Sequence, residues 1–302
     1  MLMRLILLAL LASLATGMRV LVTGAGGRTG QLVFKQLNDN GKDAVGLVRS
    51  KKANKVLKKA GAKAEQIIRA DTTVEDEVRA AMEGCDAVVL CTSAVPAIKP
   101  LSLVKFMFKK TILRSKNPGR MQFKFAEGGT PQEVDWLGAK MQIDCAKEAG
   151  IKKFVFISSM GGTQPDNFLN SIGKQPDGSG GDILLWKRKA ERYLLESGMD
   201  YTIIHPGGLV DEPPCERELL PGVDDELLGL TNRQVPRADV ARVACAALAD
   251  PKAAKLSMDL ASKAVGEGEP TLDASAVFAA LNGKSCKYDM AAADPPAIPS
   301  LR

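Results

Sequence analysis

The chain is poor in histidine and in aromatic rings, and it lacks paired metal ligands. Its 302 residues include one His, three Tyr and two Trp. One His excludes the usual His-rich zinc centre, and so few rings offer little surface for stacking single-stranded bases. The cysteines at 85, 91, 145, 215, 245 and 286 form no CxxC pair. Cys85, Cys91, Cys145 and Cys245 lie in apolar runs, where Cys behaves as a small hydrophobe. We read them as reduced thiols and expect no metal. A strong excess of one charge is missing too: 41 basic against 35 acidic residues leave +6. That is too mild to argue for nucleic acid or membrane by itself, but it suits an anionic ligand.

A long apolar run is also missing. The leader MLMRLILLALLASLATG, residues 1–17, has one Arg, an apolar stretch over 5–12 and then small residues. That layout reads as a signal or targeting segment, with Met18 as an alternative start, and the stretch is too short to span a bilayer.

What remains is a regular alternation. Strands are expected at 19–23, 43–48, 64–69, 87–91, 153–157, 201–205 and 256–260, and helices at 29–40, 51–60, 74–83, 132–149, 181–197 and 238–249. Near-continuous apolar strands separated by helices predict an α/β fold, a doubly wound parallel sheet covered on both faces. We expect one domain over 18–302. Insertions at 97–130 and 206–236 break the rhythm after strands that end on one edge, and they would wall a substrate cleft.

The motif VTGAGGRTG sets Gly24, Gly27 and Gly30 between a strand and a helix. Gly24 permits a tight turn, Gly27 lets backbone approach a pyrophosphate, and Gly30 packs helix on strand. Arg28 and Thr29 lead into the helix N-terminus, whose free N–H groups favour phosphate. The second strand ends in Arg49, Ser50, Lys51 and Lys52, where an NAD-specific sheet carries an acidic residue. Arg49, with Arg28 in reach, predicts NADP.

TGAGGRTG, GLVRS, TSAVP, VDWLGAKMQIDCAKEAGIKKFVFISSMGGTQPD, ILLWKRKAERYLLESGMDYTIIHPGGL and VPRADVA together resemble the atypical short-chain dehydrogenase/reductases, NmrA-like and of the plant and algal type. The resemblance covers about residues 19–260. It implies that the glycine loop and Arg49 hold NADP and that Asp71 lies near the adenine. It places Thr92, Ser93, Ala94 and Val95 on the nicotinamide side. It also implies a plastid location, whereas the leader points to the secretory route.

In the wider superfamily Ser, Tyr and Lys act together, with YxxxK putting Tyr and Lys on one helix face. Here Lys187 is followed by Glu191, but the residue four before Lys187 is Ile183. The proton donor is missing, a loss of roughly 10²–10⁴-fold in rate. Ser159, after the fifth strand, and Lys187 are the candidate catalytic residues, with Lys187 also on the cofactor. The plainer readings are a turn hydroxyl for Ser159 and an i,i+4 ion pair with Glu191 for Lys187 on a solvated helix. His205 is expected to pack or tether a loop, and Asp239 to sit at a helix N-terminus. Gly207 and Gly208 would let the chain pass close to the nicotinamide.

Between 97 and 126 there is no acidic residue, but there are eight Lys or Arg. Leu101, Val104, Phe108 and Ile112 recur at near-helical spacing. Two expectations follow: a lid packed over the cleft, or a surface for membrane or protein docking. In sum, the sequence predicts an NADP(H)-dependent oxidoreductase on a small carbonyl or quinone-like substrate. A non-catalytic NADP(H) sensor or scaffold is the rival.

Overall fold

Valine-, isoleucine- and leucine-rich runs of four to seven residues become the central strands, because only a sheet buried on both faces hides them. The computed structural model describes residues 17–114, 119, 122–175 and 180–288. The expected leader falls on residues outside that set, apart from Gly17. In chain order the elements begin β1 (Arg19–Thr23), α1 (Gly30–Asp39), β2 (Asp43–Val48), α2 (Lys51–Lys59), β3 (Ile67–Arg69), α3 (Glu75–Met82) and β4 (Ala87–Leu90). The first insertion supplies β5 (Ala97–Ile98), α4 (Pro100–Met107) and β6 (Phe123–Lys124). Then come α5 (Ala139–Glu148), β7 (Lys153–Ile157), α6 (Phe168–Ser171), α7 (Ile183–Glu196) and β8 (Asp200–Pro206). The chain continues with β9 (Gly208–Val210), β10 (Leu219–Gly222), β11 (Gln234–Pro236), α8 (Arg237–Ala246), β12 (Leu256–Ser262) and α9 (Ala276–Ala280).

Eight strands form one sheet in the order β10-β12-β8-β7-β4-β1-β2-β3, parallel except for β10. Strand order reverses at β1/β4, the crevice where ligands of such sheets bind. One face is packed by α1, α8 and α9 through Val33, Phe34, Leu37, Val240 and Phe278. The other is packed by α3, α5 and α7 through Val78, Met82, Ile143, Ala190 and Leu194. The doubly wound α/β expectation is met.

Three elements differ from the sequence reading. The stretch 64–69 is a 3₁₀ turn followed by a three-residue strand, because Gln66 accepts from the Lys63 amide at 3.0 Å and curls the entry. Inside the second insertion, β10 joins the main sheet beside β12. Its Pro221 reads as a breaker but is tolerated because β10 is an edge strand. The long helix expected over 132–149 opens with a π-helical turn, Gln132–Gly138, before α5.

Candidate cofactor and catalytic site

The turn between β1 and α1 is built almost entirely of backbone. Gly24 has φ +66°, and a Cβ there would lie 2.9 Å from the Cys91 carbonyl carbon. A Cβ on Gly30 would meet the Gly24 oxygen at 2.3 Å. Both glycines are therefore required by packing. Gly27 differs: a Cβ would touch only the Gly24 oxygen, at 3.1 Å, so its outer side is open. Gly26, which the sequence did not single out, lies against Ala53 of α2 at 2.4 Å by the same measure. The open side at Gly27 and the free amides at the start of α1 could hold a phosphate group.

Thr29 caps α1 with backbone alone, since its side chain makes no capping bond. Arg49, at the end of β2, is exposed and takes no ion-pair partner among the described residues. The neighbouring Ser50 caps α2 by accepting from the Ala53 amide at 3.1 Å. Arg28 does not stand free beside Arg49. Its guanidinium pairs with Asp211, just after β9, and Arg237 at the start of α8 holds the other oxygen of that carboxylate at 2.7 Å. Burial and the nearby Arg28 lower the Arg237 pKa. Two guanidiniums thus converge on one carboxylate beside the glycine loop. Neither Asp211 nor Arg237 was legible as a site residue, because the residues of this trio are 183 and 26 positions apart.

The other expected cofactor residues line the ends of β3 and β4. Asp71 accepts from the Thr73 amide at 3.0 Å and from the Thr73 hydroxyl at 2.8 Å, so it shapes the turn into α3. Thr92 and Ser93 are respectively half-buried and exposed, and the Thr92 hydroxyl accepts from Gln142 at 3.4 Å. Ala94 is buried, and its amide donates to Asp135 at 3.1 Å.

Lys187 is buried on α7 and pairs with Asp135 at 2.8 Å, near the Phe156 ring. The solvated ion pair with Glu191 is not formed. Asp135 reaches inward from the π-helical turn, and such turns recur where a helix must redirect a side chain at a functional site. Ser159 follows β7, is half-buried, and its hydroxyl donates to the Met160 carbonyl at 3.2 Å. It lines a small pocket with Arg188, His205 and Asp259. Lys187 does not line that pocket, so the two catalytic candidates are not brought together there.

Glu191 instead anchors a buried polar cluster. It accepts from Ser158 and from Tyr288 at 3.1 Å, and it pairs with Arg188 at 3.3 Å and with His205 at 3.2 Å. The other ring nitrogen of His205 meets Asp259 at 3.1 Å. Burial pushes the Glu191 pKa up, but His205 and Arg188 outweigh it and hold the carboxyl at about 2. Burial alone would lower His205, yet Glu191 and Asp259 raise its pKa well above the ordinary value. His205 is therefore a clamped imidazolium that ties β8 to α7 and β12. Cys286 completes a His205–Asp259–Cys286 set within 4.8 Å, its thiol 3.8 Å from His205 Nδ1 and 3.9 Å from the Asp259 carboxylate.

Asp239 is buried in the first turn of α8, accepting from the Cys215 amide at 3.2 Å and pairing with Arg242 at 2.6 Å. All six cysteines are free; burial raises the pKa of Cys91 and lifts that of Cys245 to about 12. Gly207 is required by packing, since a Cβ would sit 2.0 Å from the Arg233 oxygen, whereas Gly208 is exposed.

A family described as NAD(P)H-binding matches residues 24–251, from the first glycine of the turn to just past α8. The chain belongs to that family, as an atypical short-chain dehydrogenase/reductase. This reductase-like chain is 44% identical to an uncharacterized chloroplastic protein of Arabidopsis thaliana, over 88% of this chain and 76% of that one. Sanguinarine reductase of Eschscholzia californica is 40% identical, over 86% of this chain and 94% of its own. The fold matches the oxidoreductase ylbE of Lactococcus lactis with a TM-score of 0.60, at 17% identity, over 88% and 98% of the two chains. At that identity the likeness concerns fold alone.

Proposed function

We propose that this dehydrogenase/reductase is an NADP(H)-dependent reductase of a small carbonyl or quinone-like substrate, working in the plastid. The carrying observation is the pairing of an open backbone cradle at Gly27 with an unpartnered guanidinium at Arg49, where a ribose-binding carboxylate would select NAD. Gly24, Gly27, Thr29 and Gly30 would hold the pyrophosphate and Arg49 the 2′-phosphate. Asp71 would stand near the adenine, and Thr92, Ser93 and Ala94 beside the nicotinamide. The bound nicotinamide supplies the hydride. Ser159 would turn its hydroxyl from the Met160 carbonyl to a substrate oxygen. With Ile183 in the Tyr position, the proton comes from solvent, which slows the step by roughly 10²–10⁴-fold. The relative named sanguinarine reductase supports reduction, and the chloroplastic relatives support the plastid.

The test is calorimetry with NADPH and NADH, followed by NADPH oxidation against quinones and aldehydes. NADPH should bind more tightly, and Arg49→Ala should weaken it by roughly ten- to hundredfold while leaving NADH little changed. Equal affinities for the two cofactors would overturn the assignment. One observation favours the rival sensor: Lys187 is already committed to Asp135, with no Tyr for it to assist. Tight NADPH binding without turnover on any substrate would establish that reading. A fluorescent fusion of the full chain tests location, and a secretory pattern would follow the leader instead.

A further inference from the structure

The first insertion does not close over the cleft as a packed lid. No residue of α4 is buried. Its apolar side chains stand in solvent, with Leu101 at 77%, Val104 at 64%, Phe108 at 49% and Ile112 at 67% exposure. At 100° per residue these four lie within one narrow stripe. Half-buried Ser102 and Phe106 lie on another side, where the Ser102 hydroxyl accepts from the Gln122 amide at 2.6 Å and fastens the helix to the strand entering β6. The stripe continues from α4 through the π-helical turn Phe108–Ile112, for a rod about 20 Å long. The fold therefore holds the segment by one side and leaves its greasy side unpartnered among the described residues.

Charge identifies what covers it. Residues 97–126 hold eight Lys or Arg and no acid, in a chain whose total is only +6. The remainder of the protein is therefore slightly negative, and this segment carries the whole positive excess. Lys105 and Lys109 are exposed beside the stripe, whereas Lys110 lies on the far side over the Phe106 ring. An acidic protein would satisfy the cations without requiring the seven large apolar side chains that α4 and its extension expose, Leu103, Met107 and Leu113 among them. A lipid surface satisfies both at once: acyl chains receive the stripe while anionic headgroups receive the cations.

We propose that α4 and its π-helical extension dock the protein on an anionic lipid surface. Each cation near such a surface adds roughly fivefold to partitioning, so binding should be strong at low salt and collapse as salt screens it. The insertion follows β4 after the short stretch 91–96, so it emerges from the same edge of the sheet as the candidate nicotinamide-side residues.

Flotation of the full chain with phosphatidylcholine vesicles containing about 30% phosphatidylglycerol tests this, at about 20 mM and about 0.5 M salt. We expect co-flotation at low salt, at least tenfold loss at high salt, and little binding to pure phosphatidylcholine. The triple variant Leu101→Ser, Phe108→Ser, Ile112→Ser should lose about tenfold or more. Its NADPH affinity should match the parent, which confirms folding. No flotation at low salt overturns the proposal. So does equal binding to neutral vesicles, which would assign binding to the leader. Vesicle binding untouched by the triple variant, or tighter retention on immobilised polyglutamate than on vesicles, would assign the face to an acidic protein and equally overturns it. Cofactor binding is read separately, so this surface and the reductase assignment fail independently.

Discussion

The β1–α1 edge and the β8–β12 edge handle charge in opposite ways. At the first, glycines strip the chain to its backbone, and Arg49 is left exposed with no ion-pair partner among the described residues. At the second, His205, Glu191, Arg188 and Asp259 are buried and consume one another's charge. A charge available to a ligand must stay near water, where its cost is small. A buried charge must be paired, and breaking such a pair costs more than the pair contributes. The single His is held inside a buried ion cluster, while Arg49 at the surface stays accessible to an anionic ligand.

Glu191→Ala tests the contrast most severely. It leaves Arg188 and His205 short of a buried counter-charge and should destabilise by about 3–5 kcal/mol in urea unfolding, with cofactor affinity unchanged where the variant stays folded. A loss below about 1 kcal/mol would show that the cluster tolerates solvent. The pH dependence comes next. His205 has a folded pKa above its unfolded 6.5, so its contribution is complete below 6.5 and declines as pH rises toward the folded value. The unfolding free energy from urea titration should therefore fall as pH rises above about 6.5, by up to ~1.4 kcal/mol per pH unit from this group. In His205→Gln that slope should vanish; an identical slope would assign it to other groups. Glu191 behaves oppositely, its contribution being complete above 4.5 and lost as pH falls toward about 2.

The smallest effect belongs to the Arg28–Asp211–Arg237 trio. Both Arg28 and Asp211 are more than half exposed, and such pairs contribute about 0–1 kcal/mol. Asp211→Asn should free two guanidiniums beside the glycine loop and tighten NADPH binding by up to about fivefold at low salt. Weaker binding would show that Asp211 holds the arginines in place for the cofactor. That result would make the trio part of the site and not a competitor for it.

The strand and helix periodicities, the glycine turn and the missing tyrosine are local patterns, and each can be read from a few neighbouring residues. β10 escaped because its Pro221 is acceptable only at an edge, and edge position is not a local property. The lid reading of the first insertion failed for a related reason. A stripe at 101, 104, 108 and 112 states that one side is apolar, but not what lies opposite it.

The amino-acid order by itself determined the doubly wound sheet, the backbone cradle and the basic residue at the end of β2, because hydrophobic period and glycine placement act over single elements. Only the tertiary structure decided which charges are spent. Lys187 meets Asp135, Arg28 meets Asp211, and Glu191 meets His205 across separate elements. Burial and partnership, which set a charge's energy, arise from packing and not from spacing along the chain.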